Sequence, residues 1–85
     1  MAKREYIQAQ RLKPIGAEGI EACRRIVAEK QAAKVNQVMV DLFSASAIVR
    51  VYDAVNDENK ARLEAKPVAI VADIVFRLLN HRSAA

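Results

Sequence analysis

The segment from Pro67 to Asn80 constrains this chain most. It holds Val68, Ile70, Val71, Ile74, Val75, Phe76, Leu78 and Leu79, with Ala69 and Ala72 between them. On a helix turning about 100° per residue, only Asp73, Arg77 and Asn80 make a polar strip, about 60° wide. A helix this apolar must be covered nearly all round, and a chain of 85 residues offers few partners to cover it. Two arrangements satisfy that demand. Either it is the central helix of a bundle, or part of it meets a second chain. On the second arrangement, Ile70, Ile74, Phe76 and Arg77 are the candidate protein interface.

The rest of the chain must supply the bundle. A chain of this length makes one domain and buries roughly 60–65% of its unfolded surface, so its core is modest. Apolar residues are 53% of the total, which argues against disorder over most of the length. The aromatic residues are Tyr6, Phe43, Tyr52 and Phe76. The core is therefore built from Val, Ile, Leu and Ala, and few flat rings are left for stacking on bases or sugars.

Residues 1–14 show no sustained period, and Pro14 and Gly16 punctuate their end. Tyr6, Ile7 and Leu12 can pack locally. Residues 1–16 are expected to be a mobile basic arm. From Ala17 to about Ala33, Ile20, Cys23, Ile26 and Val27 share one helical face, with Glu18, Glu21, Arg24, Arg25 and Glu29 opposite. Cys23 falls on the buried stripe and reads as a small core residue rather than a nucleophile. Two β-prone pieces then flank Asn36-Gln37. A two-residue hairpin turn over residues 34–40 and an extended loop both fit, since Asn tolerates positive φ while Gln is a poor partner for it.

Asp41 suits an N-cap, and Ala45, Ile48, Val49, Tyr52 and Val55, joined by Val51, give a clean amphipathic helix over residues 42–55. Asn56 to Asn59 break that pattern and can cap a short helix from Asp57 to Ala65, burying Leu63 and Ala61. Lys66-Pro67 ends it, and Pro67 suits the first position of the last helix. The expected fold is all-α: a bundle of three main helices and one short one over residues 17–81, with the hairpin open as an addition and residues 82–85 as a frayed tail.

The sequence favours no catalytic site. His81, the sole histidine, lies at the frayed end. Ser44 and Ser46 serve a helix start and have no base nearby. Asp57 and Glu58 are adjacent and point different ways on a helix. A single cysteine excludes a disulfide framework, and with one histidine it is too little for a cysteine-rich zinc site. Gly16 and Gly19 alone make no phosphate loop. No cofactor, metal or small-molecule ligand is expected, and the chain is read as not an enzyme. No apolar run approaches the roughly 20 residues of a membrane span, and the start lacks a secretory hydrophobic stretch. The cytoplasm is the expected compartment.

Charge leaves one alternative. The net charge is +4, and residues 1–34 hold eight Lys/Arg against four acids, while residues 35–85 hold six of each. Lys3, Arg4, Arg11, Lys13, Arg24 and Arg25 are the candidate nucleic-acid contacts. They would meet phosphates in a salt-dependent way with little base readout. A helix-turn-helix built on Ala65-Lys66-Pro67 is disfavoured. Its second helix would offer only Asp73, Arg77 and Asn80 to base edges.

The run Val38-Met39-Val40-Asp41-Leu42-Phe43-Ser44-Ala45-Ser46-Ala47-Ile48-Val49-Arg50-Val51-Tyr52-Asp53-Ala54-Val55-Asn56 resembles a segment of small uncharacterised proteins of phages that infect actinobacteria. Glu58-Asn59-Lys60-Ala61 and Ala72-Asp73-Ile74 extend the likeness, which spans roughly residues 23–79. Those relatives favour Asp-Gly in the turn where this chain has Asn36-Gln37. The resemblance carries over no catalytic or binding residues. It implies a context, a small accessory phage protein in a bacterial cytoplasm. Together these readings favour a non-catalytic protein-interaction module, binding a second copy or a host or phage protein.

Overall fold

The computed structural model describes residues 2–83, with side chains through Asn80. In chain order the elements are α1 (Lys3–Arg11), α2 (Gly16–Glu29), β1 (Ala33–Val35), β2 (Val38–Val40), α3 (Leu42–Ala54), α4 (Asp57–Glu64) and α5 (Val68–Ser83). The class is mainly helical, as expected. Among the described residues the helix count is not three main helices plus one short one but five, and the extra one is α1. Its Lys, Arg, Gln and Glu residues favour helix, though nine residues are too few to hold one without contacts to the rest of the fold. It fully buries no side chain, and Tyr6, Ile7 and Ala9 are too few to repeat over several turns, so a periodicity argument has little to find.

Gly16 opens α2 at φ 63°, a left-handed conformation that glycine accepts without penalty. Ile20, Cys23 and Ile26 are buried and Val27 is half-buried, as the stripe requires. The helix stops at Glu29, short of the expected Ala33. Lys30 turns left-handed at φ 55°. The N–H groups of Lys30 and Gln31 both donate to the Ile26 carbonyl, closing the end as a glycine usually does. Ala33 is thereby free to begin β1.

β1 and β2 pair antiparallel, with Val35 opposite Val38 and Ala33 opposite Val40. Val35 and Val40 point into the core, while Lys34 and Met39 point out. Of the two readings open for residues 34–40, the hairpin is the one that forms. Its turn holds Asn36 at φ 51° and Gln37 at φ 63°, the pair of left-handed residues that suits the twist of a hairpin. Asn36 Nδ2 donates to the Pro14 carbonyl at 3.3 Å, and Arg11 Nε donates to the Gln37 carbonyl at 3.2 Å. Gln37→Gly should raise stability by about 0.5–1 kcal/mol, a left-handed penalty of about 1–2 kcal/mol less the extra chain entropy of glycine. Urea unfolding checks this, and a loss of stability would mean that the turn has another geometry in solution.

Asp41 caps α3 by accepting the Ser44 N–H at 2.7 Å, and Asn56 caps α4 by accepting the Asn59 N–H at 2.9 Å. In α4 Leu63 is buried but Ala61 is exposed. Residues two apart lie about 200° round a helix, so the two cannot share a face. Pro67 stands outside α5, not at its first position. Its carbonyl accepts the Val71 N–H at 3.0 Å, which makes it the residue just before the helix. The helix continues through Ser83, past the expected end. Of the expected frayed tail, Ala84 and Ala85 lie outside the described residues, as does the side chain of His81.

The core joins α2, α3 and α5 with the inner face of the hairpin, and Ile48, Val68, Val71, Val75 and Cys23 are its most enclosed side chains. α3 is the central helix, with α2 and α5 against it. The arrangement with α5 at the centre is therefore overturned. An isolated antiparallel bridge joins Pro14 to Pro67, where the Ile15 N–H donates to the Lys66 carbonyl at 2.8 Å. It sets the starts of α2 and α5 beside each other.

Candidate functional site

Displacing α5 from the centre leaves much of its apolar girth at the surface. Val68, Val71 and Val75 are buried, whereas Ile70 and Leu78 each keep 46% of their surface exposed. Ile74 and Phe76 are half-buried. The four residues expected at an interface do not form one patch. Ile70, Ile74 and Arg77 fall within about 60° of one another on the helix, while Phe76 lies about 100° or more away. Phe76 is stacked on Phe43, with ring centroids 5.6 Å apart and an interplanar angle of 14°. Arg77 is paired with Asp73 at 3.1 Å, one turn back on the same helix.

Two further apolar side chains stand out from the hairpin and the start of α3. Met39 is 63% exposed and Phe43 is 72% exposed. Neither was identified from the sequence as a site residue. Met39 could have been found, because hairpin alternation puts it on the face opposite Val40. Phe43 could not, since its exposure depends on where α5 docks.

Around Met39 the surface is concave. α1 lies across the outer side of β2 and the first turn of α5, enclosing a cleft of about 890 Å³. Ile7 from α1 and Leu12 just after it, Val38 and Met39 from β2, and Ala69 and Ile70 from α5 form its apolar lining. The charged residues that line it are Lys3, Arg4 and Arg11, all cationic. The volume falls in the range of peptide-sized and ligand-sized clefts, about 300–1,000 Å³.

The six expected nucleic-acid contacts are divided by the fold. Lys3, Arg4 and Arg11 meet at this cleft. Lys13 lies in a separate shallow groove with Lys34 and Glu18. Arg25 is exposed beside Glu29 and Lys34. Arg24 faces the other way and is held by Asp53 in a two-pronged ion pair, at 2.6 and 2.9 Å.

That ion pair belongs to a polar tie between α2, α3 and α4. The Arg24 guanidinium hydrogen bond holds the Asp53 carboxyl below its ordinary range. Arg24 and Lys60 both approach the Tyr52 ring, at 5.9 and 5.5 Å from its centroid. The Tyr52 hydroxyl donates to Glu64 at 2.6 Å, which raises the phenol above its ordinary value. These groups satisfy one another across a packed surface and line none of the three grooves described above.

Cys23 is fully enclosed, and burial pushes its thiol from 9.0 up to about 11. A raised value keeps the thiol neutral and unreactive at neutral pH. The native protein should resist a thiol reagent such as DTNB and react only once unfolded in guanidinium; rapid labelling of the native state would contradict this burial. The sign for stability follows. The contribution of the neutral thiol is complete below pH 9.0 and is lost as pH rises toward 11.

Among the described residues no three His, Cys, Asp or Glu side chains gather to hold a metal ion. No described helix is long and apolar enough to cross a membrane. No family model, curated protein or solved structure matches the chain.

Proposed function

We propose that this chain is a non-catalytic protein-interaction module, a small accessory protein of the phage type that acts in the cytoplasm of a bacterial host. The observation that carries the proposal is the apolar surface left open around the hairpin and α5. Leu12, Met39 and Ile70 are 65%, 63% and 46% exposed and line one cleft. Scattered exposed apolar residues need no explanation, but a concave cluster of them is the mark of a contact surface. The phage setting rests on the sequence resemblance, and the cytoplasmic setting on that and on the single cysteine.

One observation favours a nucleic-acid reading, the convergence of Lys3, Arg4 and Arg11 on one side of α1. Its variant of choice is Lys3→Glu combined with Arg11→Glu, both at the cleft. Changing Arg24 would also set a carboxylate against Asp53 and Glu21, which Arg24 now meets at 2.6 and 3.6 Å.

Light scattering after size exclusion, at low and high salt and with and without fragmented bacterial nucleic acid, tests the two readings. Salt-independent self-association supports the apolar contact. A monomer that shifts onto nucleic acid only at low salt transfers the assignment to the basic side chains. A strict monomer that ignores nucleic acid and also selects no binder from a random peptide display library removes the interaction reading altogether.

A further inference from the structure

The geometry points to the cleft between α1, the hairpin and α5 as a docking site for an acidic amphipathic segment of a partner protein. Apolar side chains of that segment enter the cleft, and its carboxylates meet Lys3, Arg4 and Arg11. This inference rests on the interaction-module reading and gives that reading a partner chemistry.

Three observations specify the occupant. The first is shape. α1 has nine residues, so the cleft wall runs about 13 Å at 1.5 Å per residue. That length matches about two and a half turns of a partner helix, enough for apolar anchors one turn apart.

The second is charge. None of the three cationic side chains forms an ion pair with a described carboxylate, and Arg11 spends its Nε on a neutral carbonyl of Gln37. Glu5, the acid of α1, is not among the residues that line the cleft. An acidic partner would supply the missing counter-charges beside an apolar lining, where water screens them less than in the open.

The third is the lining itself. Its apolar part is aliphatic apart from the flexible thioether of Met39, which adapts to varied apolar partners. It contains no aromatic ring on which a base could stack, which sets a polypeptide above a single-stranded nucleic acid.

The test exposes the full chain to a random peptide display library, then synthesises the enriched peptides and maps each on the protein by amide chemical shifts. The expected winners carry apolar residues at helical spacing flanked by Asp or Glu. Their shifts should centre on Ile7, Met39 and Ile70. The double variant Lys3→Glu/Arg4→Glu changes two exposed side chains and should weaken binding by about tenfold or more. Winners that are neutral or basic, or that map to Phe43 and Phe76, would overturn the acidic-segment proposal and leave the interaction module standing. No winners at all, from a strict monomer, would defeat both. A short single-stranded DNA or a phosphatidylglycerol vesicle that shifts the cleft residues where no peptide does would assign the cleft to phosphate and refute the inference.

Discussion

Ile48→Ala should lower the unfolding free energy by about 2–5 kcal/mol, the range for removing a fully enclosed branched side chain from a packed core. Ile48 has no exposed surface and lies on α3, the helix that α2 and α5 both contact. α3 packs against both α2 and α5, so a cavity at Ile48 cannot be filled by the movement of one neighbour without loosening the other. A domain of this size is stable by only about 4–13 kcal/mol, so the loss is a large share of the whole. The melting temperature should fall by about 10 °C or more. In urea the midpoint should drop while the slope stays the same. A loss under about 1 kcal/mol would mean that α3 is not the centre of the core.

Gly19→Val should cost about 1–3 kcal/mol, the usual range for overpacking. A Cβ at position 19 would stand 2.3 Å from Ile15 Cγ1 and 3.3 Å from Ile15 Cβ. Ile15 cannot swing aside cheaply. It is 97% enclosed, being only 3% exposed, and its N–H is fixed to the Lys66 carbonyl. The clash therefore presses on the junction between the starts of α2 and α5. Replacing glycine inside a helix would otherwise be favourable by a few tenths of a kcal/mol, which is too little to reverse the sign. Gly16→Ala is the control in space: a Cβ there meets nothing within 4 Å, and only the left-handed backbone at φ 63° opposes it. Thermal unfolding of the two variants separates steric pressure from backbone strain, and an unchanged melting temperature for Gly19→Val would contradict the close approach.

Where a residue's role depends on its own helix, the sequence was sufficient. The stripe of Ile20, Cys23 and Ile26, the cap at Asp41 and the cap at Asn56 are local facts, and each appears in the fold as read. The apolar girth of α5 was also visible, but not which side of it would stay open. That depends on α3 taking the centre, a competition between helices that no single periodicity records. α1 was missed for a different reason. It is short, fully buries no side chain, and is held by contacts from distant parts of the chain, such as Arg11 to Gln37 and Ile7 at the cleft, which no local pattern announces. The candidate cleft inherits that gap, since two of its walls, the hairpin and α5, are readable in the sequence and the third, α1, is not. The six basic residues are legible as a group in the sequence, yet the fold scatters them, and only Lys3, Arg4 and Arg11 converge.

The bridge between Pro14 and Pro67 has a kinetic consequence. Between its two ends lie α2, the hairpin, α3 and α4, so closing it early would confine a long flexible loop, at about 0.6 kcal/mol more for each doubling of loop length. The contact between α2 and α3 spans far less chain and shortens that loop before the bridge forms. That difference favours an order of assembly with the α2–hairpin–α3 unit first and the clasp with α5 last. Substitutions at Ile15 should accordingly hasten unfolding and leave the folding rate nearly unchanged, while Ile48→Ala should slow folding itself.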